Sequence, residues 1–202
     1  MNEQQVFDFY ATQVKPIYSE IEAIQNEMPV ELLHEIHAAF DHLKRIYYND
    51  ENEEVCCINA LSHLQRGVLD AYKIKLKNFN DTYVKYSSID NDILRLVDNG
   101  AYLPNMIKAK KEISDTAKQA RIAESSMNKD DATKYWTNTA NMIDAFEDNF
   151  LSKDKISQLE WGKSEVNRMN TIISRINKGT LFVSVLGIIT TIILSIFQIV
   201  RF

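Results

Sequence analysis

Glu31 and His34 stand three residues apart, an E-x-x-H spacing that sets a carboxylate and an imidazole on one helix face, as in di-iron bundles. The motif occurs once, so half of such a ligand set is missing, and no metal or other cofactor is expected. His34-Glu35-Ile36-His37 departs from H-E-x-x-H, which removes the zinc-protease arrangement. A second constellation comes from an internal echo, Phe40-Asp41-His42-Leu43-Lys44-Arg45 against Leu61-Ser62-His63-Leu64-Gln65-Arg66. Its second copy continues into Asp70, Lys73 and Lys77, so that His63, Arg66, Asp70, Lys73 and Lys77 share a helical face. Such a face can be a solvated stripe in which Arg66 and Asp70 pair at i,i+4 for ~0.3 kcal/mol. It can also be a polar seam between helices. The third option is a surface for an anionic ligand, with Arg66, Lys73 and Lys77 joined by Lys108, Lys110 and Lys111. Neither G-x-x-x-x-G-K nor G-x-G-x-x-G occurs, which argues against a nucleotide-hydrolysing or Rossmann enzyme. No catalytic set is expected.

The third pattern lies at the C-terminal end. Thr180 to Val200 is a run of 21 uncharged residues rich in Ile, Leu, Val and Phe. As a helix it measures roughly 32 Å, close to the hydrocarbon thickness of a bilayer. With only Arg201 and Phe202 beyond it, the expectation is a single-pass, tail-anchored protein whose transmembrane helix is 180–200. Lys163, Arg168, Arg175 and Lys178 flank the entry side, and excess basic residues mark the cytoplasmic face. The N-terminus lacks the basic and apolar regions of a signal peptide. The expected location is therefore the inner (plasma) membrane, with the N-terminus cytoplasmic.

Within the span, Thr180, Ser184, Gly187, Thr191, Ser195 and Gln198 recur at intervals of three and four and so fall on one face. The stripe has two readings. Small residues let helices pack closely, with hydroxyls bonded back to the backbone. Alternatively Ser184, Gly187, Thr191, Ser195 and Gln198 line a water-filled path through a ring of identical helices, because lipid cannot satisfy Gln198. Both require a homo-oligomer. Upstream, Leu159, Val166 and Ile173 repeat every seven residues, with Met169 and Ile176 offset by three, which suits a short stalk over 152–178.

The elements that must carry these residues read as all-α: a cytoplasmic helical bundle, a stalk and one C-terminal transmembrane helix. Five Gly and three Pro leave little material for sheets with tight turns. The bundle is expected over 1–151. A first helix runs from Glu3 to about Asn26, kinked or divided at Pro16. The second begins at Pro29 and turns Leu33, Ile36, Phe40, Leu43 and Tyr47 inward. The third covers about Glu53 to Tyr86, with Leu61, Leu64, Val68, Tyr72, Leu76 and Phe79 inward. A short fourth helix follows Ser88 and Asp90 and stops at Asn99-Gly100. The fifth opens at Pro104, and the sixth carries Trp136, Thr139, Ile143, Phe146 and Phe150 on one side.

Charge is uneven. Residues 1–60 carry 12 acidic and 3 basic side chains, whereas 61–121 carry 7 acidic and 11 basic. The acidic third can be a plain solvated face. Around a ring of subunits it becomes a negative mouth or gate built from Glu3, Asp8, Glu20, Glu22 and Glu27, attracting cations and repelling polyanions. Cys56 and Cys57 are adjacent, which disfavours their pairing, and reduced thiols are expected.

The segment ALSHLQRGVLDAYKIKL, Ala60 to Leu76, resembles the HEPN-like helical domains of bacterial defence systems. Catalytic members use R-x4-6-H. Here no Arg precedes a His at that distance, and the resemblance implies a structural or sensing domain. A HEPN-like body with one C-terminal span and an acidic N-terminal part is similar to the channel effector of Hailong-type antiphage defence. The membrane accessory protein of type VI CRISPR systems places its span differently. The Hailong resemblance implies a homo-oligomeric pore, held closed by its cytoplasmic part, under a signal made by a partner nucleotidyltransferase. The other readings are a tail-anchored adaptor and a membrane-tethered HEPN ribonuclease.

Overall fold

The computed structural model describes the backbone of residues 1–200 and the side chains of residues 1–189. Among these the chain is 90% helical without strands. It divides into two units: residues 1–88 with 104–150, and residues 89–103 with the chain from Leu151 onward. The segment 89–103, expected within the bundle, thus groups with the last helix.

In the first unit, α1 (Glu3–Phe9) starts with a capping box. The Gln5 N–H donates to Asn2 Oδ1 at 3.1 Å, and the Asn2 N–H donates to Gln5 Oε1 at 3.1 Å. A π-turn, Tyr10–Val14, links α1 to α2 (Lys15–Gln25), with the Lys15 N–H reaching back to the Tyr10 carbonyl. Pro16 explains it: without an N–H, and with its ring crowding the preceding turn, it forces the coil to widen just upstream. Asn26 adopts φ 52°, ending α2. Helix α3 (Val30–Tyr48) and the long α4 (Glu53–Ser87, capped by Asn52 on the Val55 N–H) then pack along one another.

Their core joins Val6, Val14, Ile17 and Ile21 to Leu32, Ile36, Ala39 and Leu43 of α3 and Cys57, Ala60, Leu64, Val68 and Ala71 of α4. The inward line of α3 is therefore not the expected one. Leu33 is half-buried, and Phe40 and Tyr47 are exposed. Spacings of three and four fit two neighbouring stripes. The line that includes small Ala39 brings the helices closer, and α4 answers with Gly67, where a Cβ would stand 2.7 Å from Leu32 Cδ1. Helix α7 (Lys129–Phe150) covers the later half of α4 with Trp136, Thr139, Ile143 and Phe146, as expected; Phe79 and Phe146 meet edge-on at 4.9 Å. Helix α6 (Tyr102–Ser125) contributes Met106, Ile113, Ala117 and Ala120 to the interior, and Pro104 sits in its first turn.

The second unit holds α5 (Asn91–Leu96), capped by Asp90 Oδ1 accepting from the Asp92 N–H. A 3-10 turn, Val97–Gly100, ends it with Asp98, Asn99 and Gly100 in the left-handed region. Helix α8 (Lys153–Val200) is one unbroken helix of 48 residues, so the expected stalk and span form a single rod. Near its start, Gly162 lets Ile93 approach, since a Cβ there would stand 3.2 Å from Ile93 Cγ2. Lys155 pairs with Asp98, and Leu159 is buried.

Candidate functional site

Among the described residues, the last helix is the one element that meets the length and apolarity of a membrane span. Over Lys153–Ile189 it is long and apolar enough to cross a membrane, and the qualifying window has a mean hydropathy of 1.5 with no residue buried in the single chain. Met169, Ile173 and Ile176, the expected stalk residues, are each at least half exposed. Leu181, Phe182, Val183 and Ile188 are likewise exposed, so the rod offers apolar surface from Met169 to Ile189. On the small-residue stripe, Thr180 Oγ1 donates to the Ile176 carbonyl at 3.0 Å and Ser184 Oγ to the Thr180 carbonyl at 2.9 Å. Both hydroxyls are thereby satisfied within the helix, an arrangement compatible with lipid, with close packing and with a narrow lumen. A Cβ at Gly187 would meet nothing within 4 Å. The remaining stripe residues, Thr191, Ser195 and Gln198, lie outside the residues with described side chains.

Sequence placed a polar face on α4, and the structure divides it in two. His63 Nδ1 lies 2.6 Å from Glu35 Oε2 on α3, and Arg66 reaches the same carboxylate at 3.7 Å. Asp70 instead faces Lys73 at 3.1 Å, so the expected Arg66–Asp70 pair does not form. Glu35, presented by the neighbouring helix, offers Arg66 a partner shared with His63. Lys73 also binds Glu124 of α6 at 2.8 Å, and the two contacts hold its ammonium charged against the opposing cost of burial. This half of the face is an interhelical polar seam. His42 stacks against His63 with ring centroids 5.2 Å apart, and its pKa is lowered by burial and by Arg45 and His63.

Lys77 is exposed, one turn beyond the seam. Of the three lysines expected to join the face, Lys108 and Lys111 are exposed, Lys108 lying 4.0 Å from Glu112. Lys110 turns toward α4, donating to Asn80 Oδ1 at 2.5 Å and to Ser114 Oγ at 3.0 Å. Its ammonium lies 5.2 Å from the Phe79 ring centroid and 5.7 Å from that of Tyr83. The E-x-x-H residues Glu31 and His34 are exposed on α3, and no three His, Cys, Asp or Glu side chains converge as a metal site among the described residues.

The acidic set is also split. Glu3 accepts from the Tyr47 hydroxyl at 2.7 Å and Asp8 from Gln4 at 2.8 Å, while Glu22 and Glu27 are exposed and make no ion pair. Glu20 is different. Lys75, buried in α4, places its ammonium 2.7 Å from Glu20 and 2.5 Å from Asp144 of α7. Burial works against the Lys75 charge, but the two carboxylates outweigh it and raise its pKa. Sequence reading missed this hub, although a signal existed: Lys75 continues the buried line Leu64, Val68, Ala71 at helical spacing. Cys56 and Cys57 are free and buried, and burial pushes both thiols up.

No protein-family model, curated protein or solved structure matches the chain.

Proposed function

We propose that this chain is the subunit of a homo-oligomeric membrane pore, an effector of antiphage defence acting by abortive infection. Its cytoplasmic helical domain holds the pore closed, and a nucleotide or oligonucleotide signal from a partner nucleotidyltransferase controls it, as in the HEPN-like Hailong-type effectors that it resembles. It works without catalysis. The observation that carries this reading is α8: a continuous rod that packs against α5 near its start and is exposed from Asn167 through Ile189. Exposed Met169, Ile173 and Ile176 need a covering surface, and copies of the same helix supply one at matching height. The basic residues Lys163, Arg168, Arg175 and Lys178 before the span support a bundle on the cytoplasmic side of the inner membrane.

In such a ring the stripe of Ser184, Gly187, Thr191, Ser195 and Gln198 faces the axis, and the acidic N-terminal third adds negative charge to the closing domain. A second reading, a membrane adaptor, draws support from the internally satisfied hydroxyls of Thr180 and Ser184, which allow packing without a lumen. Mass photometry of the detergent-solubilised protein tests the assembly. The pore requires a trimer or larger ring that persists through micromolar dilution, and a monomer sinks it. Depolarisation in expressing cells, followed with a potential-sensitive dye, separates pore from adaptor.

A further inference from the structure

Between α4 and α6 the first unit holds a cleft of about 210 Å³ lined by Leu76 and Asn80 on one side and Lys110, Ser114, Lys118 and Arg121 on the other. Three cations and two neutral hydrogen-bonding groups converge there, and no carboxylate lines it. Helical spacing explains the concentration: positions 110, 114, 118 and 121 follow one face of α6, whereas Glu112 and Asp115 fall on the opposite half. None of the three cations makes an ion pair, whereas Lys44, Arg45, Lys73 and Lys108 each face a carboxylate within one turn. Lys110 is held among Phe79, Tyr83 and Asn80, and Arg121 lies 5.7 Å from the Trp136 ring centroid. Aromatic faces and an amide position these cations without neutralising them. Burial disfavours the Lys110 charge, a cost that a bound anion offsets.

We propose that this cleft is a phosphate-binding site, in which Lys110, Lys118 and Arg121 supply the charge and Asn80 and Ser114 the orienting hydrogen bonds. Phosphate is favoured over a carboxylate because it spreads charge over more acceptor oxygens, which three separate donors can engage at once. Cleft size limits the ligand to a phosphomonoester, pyrophosphate or single phosphodiester unit, from a soluble molecule or from a lipid headgroup. The site stands apart from the pore reading, since binding there does not require the span to conduct.

The test is isothermal titration of full-length protein in nanodiscs with inorganic pyrophosphate, once in phosphatidylcholine and once in phosphatidylglycerol. In phosphatidylcholine the site predicts saturable, salt-sensitive binding. Lys110→Met or Arg121→Gln weakens it by about tenfold, and Lys108→Gln leaves it unchanged. A soluble source is assigned if pyrophosphate binds equally in both lipids. A headgroup source is assigned if phosphatidylglycerol blocks pyrophosphate and a soluble short-chain phosphatidylglycerol competes it off in phosphatidylcholine. Lys118→Gln, an exposed change that cannot disturb folding, must weaken binding too. No pyrophosphate binding in phosphatidylcholine, or binding equally sensitive to Lys108→Gln, overturns the proposal.

Discussion

Lys75 on α4 and Glu20 on α2 meet at 2.7 Å, tying the acidic N-terminal segment to the longest helix of the bundle. Asp144 of α7 closes the same contact from the other side. A buried ammonium with two partners is costly to orphan but cheap to replace. Removing both acceptors in Glu20→Gln/Asp144→Asn leaves the charge uncompensated and should cost about 3 kcal/mol, whereas Lys75→Met should change stability by less than about 1 kcal/mol. Denaturant unfolding of the two variants checks the asymmetry. Equal losses would show that the ion pairs themselves, rather than the orphaned charge, set the cost.

The same contact divides the acidic set. Glu22→Gln with Glu27→Gln removes exposed, unpaired charge and should leave the unfolding midpoint unchanged, while Glu20→Gln also loosens α2. If repulsion between acidic mouths poises the pore, the Glu22/Glu27 change alone should alter toxicity on expression with insertion intact. An unaltered, well-inserted variant would remove charge repulsion from the account, leaving only the packing of α2.

Gly67 sets the distance between α3 and α4. A Cβ there would meet Leu32 Cδ1 at 2.7 Å and Glu35 Cβ at 3.1 Å, and the second atom is fixed to its backbone. Gly67→Leu should therefore cost about 1–3 kcal/mol through overpacking, against the gain in helix propensity. Thermal unfolding measures it; an unchanged or raised midpoint would mean that the two helices slide apart freely.

His42 carries a pH dependence. Burial first, then Arg45 and His63, lower its pKa below 6.5, so the folded state favours the neutral ring. The sign follows from linkage: stability from this group is present above pH 6.5 and lost as pH falls through the folded pKa. His42→Gln removes that loss. From about pH 7.5 to about pH 5 the wild type should therefore lose more stability than His42→Gln, in paired melting curves. Parallel loss in both would mean that His42 does not titrate in this range.

Much of the fold was legible because long helices with strong periodicity declare themselves. The bounds of α4 and the Trp136, Ile143, Phe146 line of α7 followed from spacing alone, and Asp90 capped the short helix as its type suggests. Where spacing admits two neighbouring stripes, as on α3, the choice belonged to the partner helix, and Gly67 made it. The π-turn before Pro16 was legible as a kink but not in its form. The polar residues of α4 read as one continuous face, whereas Glu35 and Glu124, presented by other helices, divided it. Lys118 and Arg121 joined Lys110 only once α6 had its rotation, which sequence leaves undetermined.

The central claim is that α8 assembles into a conducting ring, and single-channel recording in planar bilayers tests it most directly. Protein carrying Glu22→Gln with Glu27→Gln, exposed changes in the acidic N-terminal third, should give discrete conductance steps. Thr191→Leu with Gln198→Leu should abolish those steps without changing the oligomer, while Ile189→Leu on the opposite face of the span should leave them intact. A silent bilayer with correctly assembled protein, or equal loss from both faces, would contradict the pore and leave α8 as a packing and anchoring helix.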